Sequence, residues 1–392
     1  MIEIFPAING DCFLVHTEDG LILIDCGYVS TYRDFLKPTL QKLHGQGKSI
    51  IRFIITHIDE DHLQGAIKFL TENGNTTDPQ IIKIDQIWHN SYRHLQSERV
   101  EEKITSSGEA ILKSSFKTIE QQTEKQISAE QGSSLAALIL KNGYDWNVDF
   151  GGAAFSTDHF PKVEVTEKIS FELLSPNDSS LTRLEKYWRK ELYRLGYQDK
   201  ITTQEIFDDA FEFMLMDDKI EPDESSSEEV SASEFDVEKL QKQKCDPDKT
   251  PKNGSSLAFI LNTNNKRILF LGDAIPSIIN DQLAKKFAAE PKPVLFDMIK
   301  LSHHGSYASN CPDLFELADA ENYIISTKGE SKPHPSKPTL AWIIGRPTVN
   351  TRKIYFNYKN SGYDTLNDQS LKTKYKYEVI LADQATNRQI TI

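Results

Sequence analysis

A short apolar run that ends in a cluster of polar side chains is the sequence feature that most limits how this chain can fold. Residues 50–56 have the β-branched composition and the length of a buried strand. The six residues that follow include His57, Asp59, Asp61 and His62. The chain then turns into a helical pattern, and such strand ends are where α/β folds place their chemistry. We therefore predict an α/β fold with a functional site at the end of this strand.

The spacing and chemistry of these four side chains indicate a metal site. His57 and Asp59 are two residues apart, as are Asp59 and Asp61, so a tight loop can direct alternate side chains into one pocket. Imidazole and carboxylate together suit zinc, manganese or iron, and an oxygen-rich set favours the harder ions. The other interpretation is an acidic solvent loop with two incidental histidines, which the motifs farther along the chain disfavour.

The length and composition are those of a globular protein. The 392 residues are 38% hydrophobic and 26% charged, so the chain can bury one large core or two ordinary ones. No segment approaches the ~20 apolar residues of a membrane span, and the first residues lack the order of a signal peptide. We therefore expect a cytoplasmic protein with no membrane association. The net charge of −13 opposes nonspecific binding to long nucleic acid, although a local basic or metal-centred site would overcome it.

Four cysteines are scattered along the chain without a CxxC pair: Cys12, Cys26, Cys245 and Cys311. That pattern fits neither a disulfide framework nor a zinc ribbon. We expect all four to be free thiols that mostly fill space in the core.

Strand and helix patterns alternate around the polar cluster. Three apolar runs separated by Asn-Gly-Asp and Asp-Gly turns predict a β-hairpin opening: residues 2–5, 12–17 and 21–25. Helical patterns precede and follow the strand at 50–56, over residues 34–45 and 63–73. Further strand-like runs lie at residues 81–89, 169–174 and 256–261.

Two polar stretches interrupt this alternation. Residues 91–142 carry isoleucines and leucines at helical spacing, and we predict a helical insertion. Residues 179–252 form a second insertion, which begins with an amphipathic helical pattern. Within it, residues 217–238 contain ten acidic residues and one lysine. Such a segment can bury too little apolar surface to offset the conformational entropy lost on ordering, so we predict a mobile acidic loop. This loop is either a solvated charge run or an electrostatic gate or partner site.

Later strand ends also carry potential ligands. The run 266–271 leads through Gly272 to Asp273, whose carboxylate can bridge two metals. The run 296–302 leads to a His-His-Gly-Ser sequence, and a strand that begins at Ile324 precedes a further histidine. Half of the ten histidines thus follow strands: His57, His62, His303, His304 and His334. Chance clustering of this kind is not expected.

The order of these motifs resembles the metallo-β-lactamase superfamily, and more narrowly its ComEC-type hydrolase branch. The motifs are Asn9-Gly10-Asp11, Ile24-Asp25-Cys26-Gly27, the HxDxDH cluster, Leu271-Gly272-Asp273, Lys300 to Ser306, and His334-Pro335. The likeness covers roughly residues 1–90, 168–178 and 254–345. It implies one domain over residues 1–392, built as a four-layer αββα sandwich with a one- or two-metal site along its edge. Members hydrolyse esters, phosphodiesters, thioesters or lactams, so the fold alone does not choose the substrate.

The resemblance also implies roles for the clustered residues. His57 and Asp59 match one metal position, Asp61 and His62 match the other, and Asp273 matches the bridging carboxylate. Asp59 replaces the second histidine of the commoner HxHxDH motif. An oxygen ligand in place of a nitrogen ligand makes the first metal position favour harder ions. The expected cofactor is therefore one or two divalent ions, zinc or manganese.

The usual mid-chain histidine ligand is not evident, because Ser175-Pro176 stands where that strand would end. In the related phosphorylcholine esterases a His-His pair supplies the missing ligand. By that resemblance His304 is assigned to the first metal, His334 to the second, and His303 to the substrate phosphate or leaving group. Three alternatives stay open: the reverse order within the His-His pair, His89, and His159.

These assignments predict a metal-dependent hydrolase whose nucleophile is a metal-bound hydroxide. Asp61 would orient the water and accept its proton, and His303 would protonate the leaving oxygen. Lys300 and Ser306 are candidates for contacts with a substrate phosphate. Lys300 can equally be a structural lysine at a strand edge.

The ComEC-type resemblance favours a phosphodiesterase or nuclease whose partner is an anionic substrate, either a nucleic acid or a nucleotide. One alternative is a small-molecule esterase, lactonase or amidase. Another is a regulatory or binding module of a multi-protein bacterial defence system, which would hold a protein partner through the helical or acidic insertion. The intact ligand set argues against this last alternative.

Overall fold

Two β-sheets stacked face to face form the centre of the protein. The structure is a computed structural model that describes residues 1–96, 103–113, 134–216, 235–330, 334–382 and 389–391. Its strands are β1 (Ile2–Ile4), β2 (Phe13–His16), β3 (Leu21–Ile24), β4 (Ile50–Ile54), β5 (Ile87–Trp88), β6 (Lys162–Thr166), β7 (Ile169–Ser175), β8 (Ala258–Thr263), β9 (Lys266–Phe270), β10 (Val294–Lys300), β11 (Ala318–Ile325), β12 (Arg352–Phe356), β13 (Tyr377–Leu381) and β14 (Gln389–Ile390). The first sheet has the order β14-β1-β2-β3-β4-β5, and the second has the order β13-β12-β11-β10-β9-β8-β7-β6.

Alternation of side chains along the strands shows how the layers stack. In β3, Ile22 and Ile24 join a core shared by both sheets, whereas Leu21 and Leu23 join a core under helices. Because successive side chains of a strand point to opposite faces, this sheet is buried on both sides. The second sheet repeats the arrangement, with Phe259 in the shared core and its neighbours in β8 under other helices. The layers are therefore helix, sheet, sheet and helix, and the predicted αββα sandwich is confirmed.

Helices cover the outer face of each sheet. These helices pack on the first sheet or lead into it: Val29–Thr31, the π-helix Tyr32–Leu36, Lys37–Gly45, Glu60–Asn73, Tyr92–Leu95, Leu135–Asn142, Asp178–Arg194 and Glu205–Met216. The remaining helices are Val237–Gln241, Pro251–Gly254, Pro276–Lys286, Pro312–Leu317, Lys337–Ile344, Ser361–Leu366 and Gln369–Tyr375, with 3₁₀ turns at Val148–Phe150 and Ser302–Gly305. Residues 106–113 are also helical. No helix in these described parts is long and apolar enough to cross a bilayer.

Two strand predictions are wrong in their extent. The apolar run 81–89 forms a strand only at Ile87–Trp88. At the start of the run, the Asn73 side chain hydrogen-bonds to the backbone in place of a neighbouring strand. The Asn73 side chain accepts hydrogen bonds from the N–H groups of Ile81 and Ile82 at 3.0 and 2.9 Å and donates to the Ile82 carbonyl at 3.0 Å. The strand predicted to begin at Ile324 instead ends there, since it spans Ala318–Ile325.

The two insertions are described only in part. Residues 97–102, 114–133 and 217–234 lie outside the described residues, and most of the predicted acidic loop is among them. Its last four residues are described, and they are not part of a mobile loop. The Asp236 side chain accepts a hydrogen bond from Lys239 N at 3.1 Å and so caps the helix Val237–Gln241, while Val237 is buried in the core of the second sheet. The prediction of a mobile loop is therefore wrong for residues 236–238.

The prediction of four free thiols is wrong for two of the cysteines. Cys245 and Cys311 form a disulfide with their Cα atoms 5.8 Å apart, whereas Cys12 and Cys26 are free and buried. The bonded pair is separated by 66 residues, and only the fold brings them together. Spacing along the chain therefore held no signal for this bond.

We predict that the Cys245–Cys311 disulfide stabilises the protein by about 4 kcal/mol, because it closes a long loop in the unfolded chain. The free energy of unfolding in guanidinium chloride should fall by about this amount for Cys245→Ser. Cys26→Ser is the control. It leaves the disulfide intact, so any change in its free energy of unfolding comes from replacing a buried thiol with a hydroxyl. Four reactive thiols in the denatured, unreduced wild-type protein, rather than two, would contradict the prediction.

Candidate metal centre

The polar motifs converge at one edge of the sandwich, where strands of both sheets end. β4 of the first sheet leads to Thr56 and His57, and the parallel strands β9 and β10 of the second sheet lead to Asp273 and to the His303-His304 pair. The sheets are joined here by the N–H of Leu257, which donates to the Thr56 carbonyl at 2.8 Å. Strand ends that are far apart in the chain therefore share one site.

The buried carboxylate of Asp25 organises the first half of the site. It accepts hydrogen bonds from the backbone N–H and the hydroxyl of Thr56 at 2.8 and 2.7 Å, and it lies 2.8 Å from Nδ1 of His62. Asp25 is fully buried and has a φ of 52°, a left-handed conformation that non-glycine residues seldom adopt. Its position in the Ile-Asp-Cys-Gly motif was noted in the sequence, but this supporting role was not predicted.

Three histidines present the same ring nitrogen to the site. The Thr56 hydroxyl donates to Asp25, so it accepts from Nδ1–H of His57, which lies 3.0 Å away. Nδ1 of His304 lies 2.8 Å from the Ser326 carbonyl, which can only accept. With Nδ1 engaged in each ring, and with Asp25 on Nδ1 of His62, each ring in its neutral form would offer the Nε2 lone pair to a cation.

The carboxylates of Asp61 and Asp273 lie between these histidines. His62 Nε2 is 3.7 Å from Asp61 Oδ1 and 3.8 Å from Asp273 Oδ1. His304 Nε2 is 3.5 Å from Oδ2 of each carboxylate, and His57 Nε2 is 4.0 Å from Asp273 Oδ2. Potential ligand atoms of His57, His62 and Asp273 lie within 4.8 Å of one another, as do those of Asp61, His62 and His304.

Unsatisfied buried atoms show that this group suits a cation. His57 Nε2, His62 Nε2 and Asp273 Oδ1 are buried without a hydrogen-bond partner among the described residues. Leaving each of them so costs about 1–3 kcal/mol. A divalent metal would satisfy all three, since imidazole nitrogen and carboxylate oxygen are the ligands of zinc and manganese.

The electrostatic environment keeps the site carboxylates ionised. Burial raises the pKa of Asp273, but His304, His303, His62 and Lys300 outweigh it and hold that pKa well below its ordinary value. Burial likewise raises the pKa of Asp61, and His62 and His304 lower it further than burial raises it. Both groups are therefore anionic acceptors at neutral pH.

His304 of the His-His pair lies between Asp61 and Asp273. Its Nε2 is 3.5 Å from Oδ2 of each, and it does not contact Asp59, with which the resemblance had grouped it. Its assignment to the first metal position stays a prediction. Both histidines have positive φ, 44° at His303 and 56° at His304, and the turn that holds them needs glycine next. A Cβ on Gly305, which has a φ of 87°, would lie 2.8 Å from Pro335 Cβ.

His303 occupies the more open position of the pair. Its side chain is 18% exposed against 4% for His304, and its Nε2 is 3.9 Å from Asp273 Oδ2. On the other side of the ring, Nδ1 faces the Asn253 side chain at 3.3 Å and Asp248 Oδ2 at 3.9 Å. This position is compatible with the predicted contact to a substrate.

Two other predicted contacts with substrate are not placed toward the site. The Lys300 side chain is 1% exposed, and its ammonium pairs with Asp11 and donates to the Gly272 carbonyl at 3.0 Å. This burial agrees with the structural alternative for Lys300 and not with a contact to a substrate phosphate. Ser306 is buried, and its backbone N–H closes the turn by donating to the His303 carbonyl at 2.8 Å.

Three histidines predicted as possible ligands lie outside the ligand groups. The ring of His334 is 5.4 Å from that of His303, but the grouped ligand atoms do not include it. His89 Nε2 is 2.8 Å from the buried carboxylate of Glu212. His159 is on the surface, where its Nε2 pairs with Asp178 at 2.8 Å. The structure therefore gives no metal-binding role to His89 or His159.

Asp59 also stands apart from the grouped ligand atoms. Its Oδ1 is 2.8 Å from the ammonium of Lys252, and its Oδ2 is 3.4 Å from His57 Nε2. Burial raises the pKa of Asp59, but Lys252 and His57 together lower it below the ordinary value. Lys252 belongs to the second insertion and to no recognised motif, so the sequence contained no signal for it.

Comparison with known proteins gives partial support for the family. Residues 6–114, which contain the HxDxDH motif, match the family model described as the Metallo-beta-lactamase superfamily. No curated protein matches the chain by sequence. Among solved structures, the metallo-beta-lactamase fold protein YhfI from Bacillus subtilis is 10% identical, with 97% of this chain and 96% of that chain covered and a TM-score of 0.34. The family model thus supports the superfamily, whereas the ComEC-type branch rests on the motif resemblance alone.

We predict that Gly10→Ala will disturb the site, because a Cβ at Gly10 would lie 1.8 Å from the backbone oxygen of Asp61. The clash should push the Gly10 loop away from the loop that holds Asp61. This shift should lower the free energy of unfolding by about 1–3 kcal/mol and weaken metal binding. Denaturant unfolding and metal analysis of the purified variant measure the two effects. Gly45→Ala is the control, since a Cβ there meets nothing within 4 Å. A Gly10→Ala protein with wild-type stability and metal content would contradict the prediction.

Proposed function

We propose that this protein is a metal-dependent hydrolase that cleaves a phosphodiester bond in a nucleic acid or nucleotide. The observation that carries the metal-dependent part is the convergence of three buried, unsatisfied ligand atoms, from His57, His62 and Asp273, at the edge of an αββα sandwich. The choice of a phosphodiester rests on the resemblance of the motifs to the ComEC-type branch.

The residues that would hold the metal are His57, Asp61, His62, Asp273 and His304. A divalent ion bound there would supply a Lewis acid and lower the pKa of water in the site. Both zinc and manganese suit this mixture of imidazole and carboxylate ligands.

The chain's own residues would position the reacting groups. The Asp61 carboxylate is 19% exposed at the border of the ligand group, where it can orient a water molecule and accept a proton. His303 can donate a proton from Nε2 to the leaving oxygen, while Asp248 and Asn253 face its Nδ1 and hold the ring in place. Lys300 keeps Asp11 and Asp273 compensated beneath them.

The complete ligand group weighs against a binding module without chemistry. A small-molecule esterase or lactonase would use the same site, and a substrate panel separates it from a phosphodiesterase. A protein partner for the insertions stays a prediction. The cytoplasmic location also stays a prediction, and the Cys245–Cys311 disulfide weighs against it, since structural disulfides are rare in reducing compartments.

We predict that the protein purified without chelator carries between one and two transition-metal ions per chain, because the ligand group is preformed and buried. Mass spectrometry of the purified protein measures the zinc and manganese content. A metal content near zero after gentle purification would contradict the proposed function.

We predict that Asp61→Ala lowers the rate of hydrolysis by at least about 100-fold. Removal of a metal ligand should lower the rate more than removal of a residue that only supports a metal ligand. Asp61 is a cleaner choice than His62, whose removal would leave the buried Asp25 without one of its partners. Turnover is measured on oligonucleotides, cyclic nucleotides, bis-p-nitrophenyl phosphate, and simple esters and lactones.

His159→Ala is the matched control, because that histidine pairs with an acid on the surface. Far-ultraviolet circular dichroism should show that both variants are folded. Near-normal turnover in Asp61→Ala would exclude this site. Cleavage of esters or lactones but of no phosphodiester would exclude the proposed substrate class.

A further inference from the structure

A buried lysine lies at the end of the site where the first metal position was expected. The side chain of Lys252 is 6% exposed, and its ammonium is 2.8 Å from Asp59 Oδ1. Asp59 is the residue that replaces the histidine of the commoner HxHxDH motif. An internal cation therefore accompanies the carboxylate at this motif position.

The surrounding chain holds Lys252 in place. It lies in the short helix Pro251–Gly254, and its carbonyl accepts from the Ser255 hydroxyl at 2.6 Å. The next residue, Asn253, donates to Asp248 at 2.6 Å, and Asp248 N donates to the Ala308 carbonyl at 2.9 Å. The disulfide from Cys245 to Cys311 ties the same segment to the loop that follows the His-His pair. Lys252 is thus part of a fixed structure.

The other ligand atoms form overlapping groups around His62. Those of His57, His62 and Asp273 lie within 4.8 Å of one another, as do those of Asp61, His62 and His304. Because Asp25 already engages Nδ1 of His62, only Nε2 of that ring is left to bind an ion. Asp59 lies outside these groups and already has a cationic partner.

We infer that Lys252 is a built-in cation that takes the place of the first metal, so that the chain binds one divalent ion and not two. The inference rests on the proposed metal-dependent function and specifies its stoichiometry. The ammonium uses an oxygen of Asp59 that a first metal would need, and its charge repels a second dication from the Asp59 side of the site. Lys252 is therefore a positioning residue that sets the number of metals.

Manganese titration of the full-length, chelator-stripped protein tests this inference. Isothermal titration calorimetry should give one tight Mn²⁺ per chain for wild type and a second Mn²⁺ for Lys252→Met, in which Asp59 is released and the positive charge is removed. Electron paramagnetic resonance is a readout independent of activity, because two adjacent Mn²⁺ ions in Lys252→Met should show spin coupling that the wild type lacks.

Two further variants serve as controls. Lys252→Arg keeps the charge and should stay at one Mn²⁺. Lys249→Met removes a lysine whose side chain is 75% exposed, three residues earlier, and should also stay at one. Circular dichroism reports whether each variant is folded, and the wild-type stoichiometry decides the question even if Lys252→Met does not fold.

The possible failures are distinguishable. Two tight Mn²⁺ ions in the wild type, or one Mn²⁺ with unchanged affinity in folded Lys252→Met, would overturn the inference and leave the proposed hydrolase intact. No Mn²⁺ or Zn²⁺ binding in the wild type would overturn the proposed function and the inference together. One ion in the wild type and two in Lys252→Met support both.

Discussion

The buried carboxylate of Asp25 is the constraint on which the site depends. It joins the end of β4 to the start of the helix Glu60–Asn73 by accepting from Thr56 and engaging His62. Because the Thr56 hydroxyl is committed to Asp25, His57 must donate to that hydroxyl from Nδ1. One anion, with no solvent access, thus sets the orientation of two histidines whose other nitrogens meet Asp273 across the junction between the sheets.

Charge compensation explains why so many carboxylates can be buried at one edge. Lys300 compensates Asp11 beneath the site, and Lys252 compensates Asp59 at one end. Asp273 is 3.7 Å from the Lys300 ammonium, and Asp61 lies between His62 and His304, so a divalent ion would complete the pairing of these two carboxylates.

The second insertion contributes to the site as well as to the surface. Its last part carries Asp248 against His303 and Lys252 against Asp59, and Asn253, the next residue along the chain, also faces His303. The disulfide from Cys245 joins this segment to the loop after the His-His pair. A segment that interrupts the motif order in the sequence thus lines the candidate site in three dimensions. This arrangement also explains how Asp59 can replace a histidine without leaving a buried charge unpaired.

The sequence by itself determined the layered fold and the main candidate ligands, because local patterns encode both. Apolar runs with alternating faces specify strands, and the HxDxDH cluster places His57, Asp61 and His62 at a strand end. Only the tertiary structure decided the side of the site on which His304 lies, the partner of Lys252, the burial of Lys300 and the Cys245–Cys311 bond. Each of these depends on two segments that meet across the sandwich, and no spacing along one chain encodes which side chains face each other there.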